Sequence, residues 1–148
     1  MVVSVIHTAD WHLGQELHGF SREAEHEAFL GWLLNQIVER QADALIVSGD
    51  IFDTVNPAVS SQRQLYTFLK ETCEREPGID IVMIIGNHDS GARLELPAPL
   101  LDEKRVHLVG GMPRSNGKPA PENILFHLHD RDGKPQVLCA AVPYLRHG

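Results

Sequence analysis

The residues best suited to chemistry lie in three short polar segments, each of which directly follows an apolar run. The segments are "HTADWHLG", "SGDIFD" and "GNHD". They hold carboxylates, imidazoles and an amide, which are groups that bind divalent cations in proteins. A metal site is therefore predicted wherever the fold brings the three segments together.

The spacing within the segments identifies candidate ligands. Asp10 and His12 are two residues apart, so in an extended segment both side chains would project to the same side. Asp50 has two carboxylate oxygens and can bridge two cations, and Asn87 can offer an amide oxygen to the second. This set predicts a two-metal site, in which ions about 3.5–4 Å apart hold the attacking and leaving oxygens of a displacement at phosphorus.

Glycine supports this interpretation, although each segment alone has a simpler explanation. Gly49 and Gly86 directly precede Asp50 and Asn87 and permit a sharp turn and a close backbone approach. A lone Asp-x-His also serves as a loop cap with a surface imidazole, and Gly-Asp is a common turn. The occurrence of all three segments in this order, each closing an apolar run, is what favours the metal site.

Hydrophobic periodicity predicts the elements that position these segments. Apolar runs at residues 2–7, 44–48 and 79–85 predict strands that are buried on both faces. Helical patterns at residues 21–41 and 56–73 separate them, so the order βαβαβ predicts a parallel sheet of an α/β fold. Polar groups at the carboxyl ends of its strands would meet at one edge.

The two helical patterns give candidate buried faces. In the second helix, Asn56 is expected to cap and Pro57 to occupy the first helical position. The expected buried residues are Ala24, Ala28, Phe29, Trp32, Leu33 and Ile37 in the first helix, and Val59, Gln62, Tyr66, Leu69 and Cys73 in the second.

The remaining third of the chain is less regular. A short helix interrupted by Pro97 and Pro99 is expected first, followed by a strand at Val106–Val109. The segments "NILFHLH", "DRDGK" and "PQVLCAAVPYL" predict a β-hairpin around an Asp-Gly turn.

Composition narrows the function classes. The 148 residues suit one domain, and the net charge of −7 argues at first against a nucleic-acid partner. The acidity is concentrated in residues 1–100, with six Lys and Arg against fifteen Asp and Glu, whereas residues 101–148 have seven against five. Cys73 and Cys139 show no disulfide or metal spacing, and no apolar run approaches the ~20 residues of a membrane span. A reduced, cytoplasmic protein without a membrane segment is expected.

The three segments together resemble the signature of the calcineurin-like metallophosphoesterase superfamily, D-x-H, then G-D-x-x-[DN], then G-N-H-[DE]. "HTADWHLGQ", "SREAEHEAFLGWLL", "SGDIFDTVNP", "IIGNHDS" and "AAVPYLR" resemble, more narrowly, the SbcD-type nuclease subunits across nearly the whole chain. Trp11 between the two candidate ligands and Leu13-Gly14 after them favour that group over a generic phosphatase. The resemblance implies a layered β-sheet core flanked by helices.

The resemblance also implies an activity. It indicates an exonuclease and hairpin-opening endonuclease for DNA ends in double-strand-break repair, using two divalent ions, Mn²⁺ or else Mg²⁺, to activate the attacking water. An SbcC-like ATPase is the implied partner, and a homodimer is favoured.

Roles follow residue by residue from the resemblance. Asp10 and His12 would bind the first metal, Asp50 would bridge both, and Asn87 would bind the second. His88 would act as the catalytic acid or stabilise charge on the phosphoryl group. Asp89 would hold the ring of His88, and Asp53 would either tune a ligand or cap its turn.

One feature departs from the resemblance. The superfamily completes its site with a later histidine and a G-H-x-H motif, and no such motif is found in residues 1–148. His127 and His129 form the only H-x-H, but they lie on the expected hairpin and are interpreted as structural. The same interpretation is given to His7, His18, His26, His107 and His147.

The chain is therefore expected to be the N-terminal part, residues 1–148, of a longer nuclease domain, with weak or no activity by itself. An exposed strand edge is expected to favour self-association. Two alternatives stay open: a phosphoesterase for small phosphoesters or phosphoproteins, and a non-catalytic dimerisation module using surfaces around Phe20 and Phe52.

Overall fold

The computed structural model describes residues 2–101 and 103–146. They form a parallel sheet that has helices on one side and a hairpin on the other. Its elements in chain order are β1 (Val5–Thr8), β2 (Glu16–Leu17), β3 (Phe20–Ser21), α1 (Glu23–Glu39), β4 (Ala44–Ser48), α2 (Val59–Arg75), β5 (Asp80–Ile84), α3 (Gly91–Glu95), a 3₁₀ helix at Ala98–Leu100, β6 (Val106–Val109), β7 (Arg114–Ser115), β8 (Lys118–Pro119), a 3₁₀ helix at Pro121–Ile124, β9 (Leu125–His129) and β10 (Pro135–Ala140).

The central sheet confirms the predicted α/β class and the βαβαβ order. Its strands are arranged β1-β4-β5-β6, and every neighbouring pair is parallel. Strands β4 and β5 are largely buried, as predicted, but β1 is an edge strand in which Val5 is 41% exposed. The prediction of burial on both faces is therefore wrong for β1, because it has a neighbour on one side only and a partly uncovered surface.

Side chains of the central strands alternate between two apolar clusters. Leu45, Val47 and Met83 join the larger cluster, which lies against α1 and α2. Ala44 and Val82 join a smaller cluster with residues of the hairpin, such as Leu128. Because successive residues of a strand face opposite sides, one sheet buries both layers. The layered core expected from the resemblance is thus present.

The predicted face of α1 is only partly correct. Leu33 and Ile37 are buried as expected, whereas Trp32 is 56% exposed and stacks on Phe29. Ala24 and Ala28 are also exposed. The helix carries two adjacent apolar stripes, and the structure buries the one that comprises His26, Leu30, Leu33, Leu34 and Ile37.

The predicted start of α2 is wrong, and its predicted face is only partly correct, because Leu69 and Cys73 are buried as expected. The helix begins at Val59 after Ala58, and Asn56 accepts a hydrogen bond from Arg93 instead of capping the helix. The residues that pack into the core are Ser61, Leu65, Phe68, Leu69, Thr72 and Cys73, whereas Val59 is 70% exposed. Gln62 and Tyr66 of the predicted face line a surface groove against the segment after α3.

The predicted hairpin is confirmed. Strands β9 and β10 pair antiparallel, and the Asp130 carboxylate accepts backbone N–H groups of Asp132 and Lys134 in the turn. The bond from the Lys134 N–H, above all, holds the pKa of Asp130 below its ordinary value.

None of the described helices has the length and apolar character that a membrane crossing requires.

The loops that follow β4 and β5 approach each other closely at the carboxyl edge of the sheet. Gly49 has a φ of 87°, and a Cβ there would lie 2.9 Å from the Cα of Gly86. A Cβ at Gly86 would overlap Oδ1 of Asp50 and lie 2.5 Å from its backbone nitrogen. The close approach that the sequence predicted for these two glycines is confirmed.

This approach predicts that Gly86→Ala destabilises the fold. Since the added methyl group has to displace Asp50, we expect a loss of about 1–3 kcal/mol in the free energy of unfolding, as for other overpacked sites. Urea unfolding followed by circular dichroism measures it. Gly31→Ala is the control, because a Cβ at Gly31 meets nothing within 4 Å and should stabilise α1 by about 0.5–1 kcal/mol. Equal stability of Gly86→Ala and the wild type would contradict this packing.

Candidate metal centre

Three of the predicted ligands converge at the carboxyl edge of the sheet. Asp10, His12 and Asp50 each place a ligand atom within 4.8 Å of the other two. Nε2 of His12 lies 3.9 Å from Oδ1 of Asp10 and 3.9 Å from Oδ2 of Asp50. Two carboxylates and one imidazole nitrogen thus face a common point, which is a suitable donor set for a divalent cation.

The backbone reaches this geometry through an unusual conformation. Asp10, His12 and Asp50 all have left-handed φ values, of 58°, 49° and 49°. The reasoning that Asp10 and His12 share a side because their segment is extended is therefore wrong, although the two side chains do meet. Such conformations cost of order 1–3 kcal/mol each and tend to occur at functional sites.

Backbone hydrogen bonds between the first two loops support these left-handed residues. The N–H groups of Asp10 and His12 donate to the carbonyls of Gly49 and Asp50, at 3.0 and 2.9 Å. Between them, Trp11 is buried, contacts two core aromatic rings edge-on and donates its indole N–H to Thr8 Oγ1. The tryptophan therefore anchors the loop in the core while its neighbours turn outward.

Asp53 contacts the other nitrogen of His12. Its Oδ1 lies 3.1 Å from Nδ1 of His12. An ionised carboxylate only accepts hydrogen bonds, so Nδ1 is the donor in this contact, and Nε2 is the nitrogen that faces Asp10 and Asp50. Of the two roles considered for Asp53, the geometry favours tuning and orienting a ligand.

The third segment is joined to the other two through Asp50. The backbone N–H of His88 donates to Oδ1 of Asp50 at 3.0 Å. The exposed ring of His88 lies 5.4 Å from the ring of His12, centroid to centroid, at an angle of 72°. Asn87 is exposed and lies between His88 and Gly86, which itself contacts Asp50.

The predicted contact between Asp89 and the ring of His88 is wrong. Asp89 is fully buried, and its two carboxylate oxygens accept the backbone N–H groups of Ile51, Phe52 and Gly86 at 2.8–3.2 Å. The hydrogen bonds from Ile51 and Phe52 connect the carboxylate, and with it the third segment, to the loop after β4. Asp89 therefore positions the backbone that carries His88 and does not hold its ring.

The remaining histidines lie away from this cluster or serve the fold. His129 donates its backbone N–H to Asp80 and places Nδ1 3.0 Å from the same carboxylate, at the amino end of β5 and thus opposite the candidate site. His107 stacks on Phe126 in the hairpin layer, and burial lowers its pKa below the ordinary value. Burial, followed by Arg22, also lowers the pKa of His26 in α1. The interpretation of His129 as structural is confirmed.

The other histidines and the two phenylalanines singled out in the sequence lie in different environments. His7 contacts Ser48 through Nε2, at 2.8 Å, and His127 is exposed on β9. His147 lies outside the described residues. Phe52 is fully buried and cannot form the surface suggested for it, whereas Phe20 is 77% exposed.

The charges of the centre fit a cation. Within residues 2–101 and 103–146, no lysine or arginine forms an ion pair with Asp10 or Asp50, whose ionic contacts are with His12. The side chain of Asp50 is 12% exposed, so its charge is poorly solvated. A bound divalent ion would neutralise these carboxylates and complete their coordination.

One contact at the site was not foreseen from residue types and spacing. Arg146 donates from Nη2 to the backbone carbonyl of Asp89 at 2.8 Å and to that of Asn87 at 3.4 Å. Arg146 ends the segment "AAVPYLR", whose resemblance to other proteins gives the arginine no role, so only the fold reveals this contact.

Known proteins resemble this chain along most of its length. A family model described as calcineurin-like phosphoesterase matches residues 3–140. Relatives named as the SbcD component of the nuclease SbcCD are 44% identical in Rhodobacter capsulatus and 39% identical in Escherichia coli K12, each over 142 residues and 96% of this chain. A protein of the same name from Bacillus subtilis is 42% identical over 106 residues, 72% of the chain.

The matched relatives are longer proteins. The chain spans 35% of the Rhodobacter capsulatus protein, 33% of the Escherichia coli protein and 27% of the Bacillus subtilis protein. The family model nevertheless covers all three polar segments, including the cluster of Asp10, His12 and Asp50. The chain belongs to the calcineurin-like phosphoesterase family.

Proposed function

We propose that this chain carries the metal-binding part of a nuclease that hydrolyses phosphodiester bonds of DNA. The observation that supports this most is the cluster of Asp10, His12 and Asp50, with Asp53 on the far nitrogen of His12. A calcineurin-like phosphoesterase uses divalent ions, and relatives at 39–44% identity are named as nuclease subunits. The generic phosphoesterase and the non-catalytic module are less favoured for the same reasons.

The proposed ligands are divided between two cations. Asp10 and His12 would hold the first, Asp50 would contact both, and the amide oxygen of Asn87 would contact the second. The ions, Mn²⁺ by preference or Mg²⁺, would polarise the phosphoryl group and lower the pKa of the attacking water. Asp53 would accept the Nδ1 proton of His12 and orient its ring so that Nε2 faces the cation, as carboxylates commonly do for metal-binding histidines.

His88 is the proposed acid. Its ring is exposed beside His12, and its backbone is held by Asp50. From this position it would donate a proton to the departing 3′ oxygen or stabilise charge on the phosphoryl group. Asp89 supports this role indirectly, through the backbone N–H groups that it accepts.

The domain is proposed to be larger than the residues described. The match to about a third of each relative agrees with a part of a longer protein. The part proposed is the N-terminal one, to which a later segment would add imidazoles for the second cation. Under this proposal the isolated chain binds metal but is weakly active or inactive. A cytoplasmic location is also proposed, which agrees with the free thiols of Cys73 and Cys139.

An SbcC-like ATPase and DNA ends or hairpins are the proposed partners, supported by the relatives' names as components of SbcCD nucleases. A second copy of the chain is proposed as a further partner. Between α2 and the segment after α3 lies an apolar groove of about 730 Å³. Leu96 and Leu100 line it and are 58% and 87% exposed, an arrangement that favours burial against another helical surface.

Calorimetry with Mn²⁺ tests the metal site in this chain. We expect a binding isotherm for the wild type. Asp50→Ala should bind Mn²⁺ at least tenfold more weakly, because it loses the carboxylate proposed to contact both cations. Asp132→Ala is the matched control, since it removes an exposed carboxylate from the hairpin turn. No heat change in the wild type, or equal affinity of the wild type and Asp50→Ala, would contradict the metal site.

Hydrolysis in the full-length context tests His88. There His88→Ala should bind Mn²⁺ like the wild type but cleave DNA ends about 10²–10⁴-fold more slowly, because a proton donor is removed and not a ligand. The control is His127→Ala, which changes an exposed histidine on β9. Loss of Mn²⁺ binding in His88→Ala would contradict the division of roles. Cleavage of a nitrophenyl phosphomonoester without cleavage of DNA would favour the generic phosphoesterase instead.

Light scattering at increasing concentration tests the second copy. We expect a mass that approaches twice the 16.5 kDa of the chain, and Leu100→Glu should restore the monomer by placing a charge in the apolar groove. Leu138→Glu is the control, because Leu138 is 60% exposed on the edge strand β10. If Leu138→Glu disrupts the dimer and Leu100→Glu does not, association is through the strand edge and the groove proposal is wrong.

A further inference from the structure

The segment that follows β10 returns to the candidate metal centre. The N–H of Ala141 donates to the carbonyl of Ile124, and the N–H of Tyr144 donates to the carbonyl of Ile85 at 3.1 Å. Ile85 lies between the end of β5 and the third polar segment. Residues 141–146 therefore lead from the hairpin layer to the loop that carries Asn87 and His88.

Arg146 contacts that loop on its carbonyl side. Nη2 lies 2.8 Å from the backbone oxygen of Asp89 and 3.4 Å from that of Asn87, so one nitrogen faces the carbonyls on both sides of His88. The guanidinium group is planar and permanently charged, and its N–H groups point in fixed directions. A hydrogen bond from such a donor is stronger than one between neutral groups.

The N–H side of the same loop is held by carboxylates. Oδ1 of Asp50 accepts the N–H of His88, and Oδ2 of Asp89 accepts the N–H of Gly86. A loop fixed on its N–H side alone can still rotate its peptide planes, because no donor holds its carbonyls. The guanidinium of Arg146 supplies the missing restraint on the carbonyl side.

We propose that Arg146 is a positioning residue, which restrains the backbone carbonyls of Asn87 and Asp89, the two neighbours of His88, so that Asn87 and His88 keep their orientation toward the metal centre. The effect on the metal centre rests on the proposed function. The hydrogen bonds that restrain the loop are present in the chain without metal. Arg146 acts through the backbone of Asn87 and Asp89.

A second arginine of the chain provides a matched comparison. Nη1 of Arg114 donates to the carbonyl of Gly117 at 3.0 Å, in the small hairpin formed by β7 and β8. Both arginines are exposed and both hold a loop carbonyl through one guanidinium nitrogen. They differ in which loop they contact, so Arg114→Ala removes an equivalent bond from a different loop.

Amide hydrogen exchange in the metal-free chain tests the restraint. Arg146→Ala should accelerate exchange of the His88 amide by about tenfold or more, as expected for loss of a hydrogen bond from a charged donor. Arg146→Lys should give an intermediate rate, because an ammonium group retains the charge but not the planar donor pair. Arg114→Ala should leave His88 unchanged. The buried amide of Met83 in β5 reports on global stability and should keep its rate in every variant.

Calorimetry with Mn²⁺ then tests the consequence for the metal centre. Arg146→Ala should bind Mn²⁺ about tenfold more weakly than the wild type. Losses of this size in metal affinity are usual when a group that orients a metal ligand is removed. Arg114→Ala should bind like the wild type. If the wild type itself bound no Mn²⁺, the proposed function would fail, while the exchange rates would still decide whether Arg146 restrains the loop.

Two results would overturn the role of Arg146. One is an unchanged exchange rate of the His88 amide in Arg146→Ala. The other is equal acceleration at His88 and Met83, which would show a loss of global stability with no specific effect on the loop.

Discussion

The buried carboxylate of Asp89 holds together the two loops on which the candidate site depends. It accepts backbone N–H groups from Ile51 and Phe52 in one loop and from Gly86 in its own. Hydrogen bonds to a charged acceptor contribute about 1.5–3 kcal/mol each, and a buried carboxylate that lost them would be strongly unfavourable. Asp50 and His88 lie on these loops, so their mutual position depends on this side chain together with the direct bond from the His88 N–H to Asp50.

The same arrangement explains how the chain sustains left-handed conformations at its candidate ligands. Asp10, His12 and Asp50 have positive φ values, each of which is costly for a residue with a side chain. The cost is offset by hydrogen bonds between the first two loops, by Trp11 in the core and by the glycines that let the second and third loops touch. The site is therefore set in shape by its surroundings before a cation arrives, which lowers the cost of binding.

Part of the fold and the site could be predicted from residue types and order. Strand β4 has the predicted bounds, the sheet is parallel, and the ends of its strands meet because that is a property of parallel sheets. The faces of the helices could not be predicted, since α1 and α2 carry neighbouring apolar stripes and only tertiary packing decides which is buried. The role of Asp89 was missed because its partners are backbone groups, which leave no signal in the sequence. Arg146 was missed because it is 57 positions from its hydrogen-bond acceptor.

The proposed chemistry depends on whether a cation occupies the space between Asp10, His12 and Asp50. Crystals soaked in Mn²⁺ and recorded near the manganese absorption edge would test this most directly. We expect an anomalous peak within coordination distance of Nε2 of His12 and of the Asp10 and Asp50 carboxylates, with Nδ1 of His12 still facing Asp53. Well-ordered density for these side chains without an anomalous peak between them would contradict the metal centre.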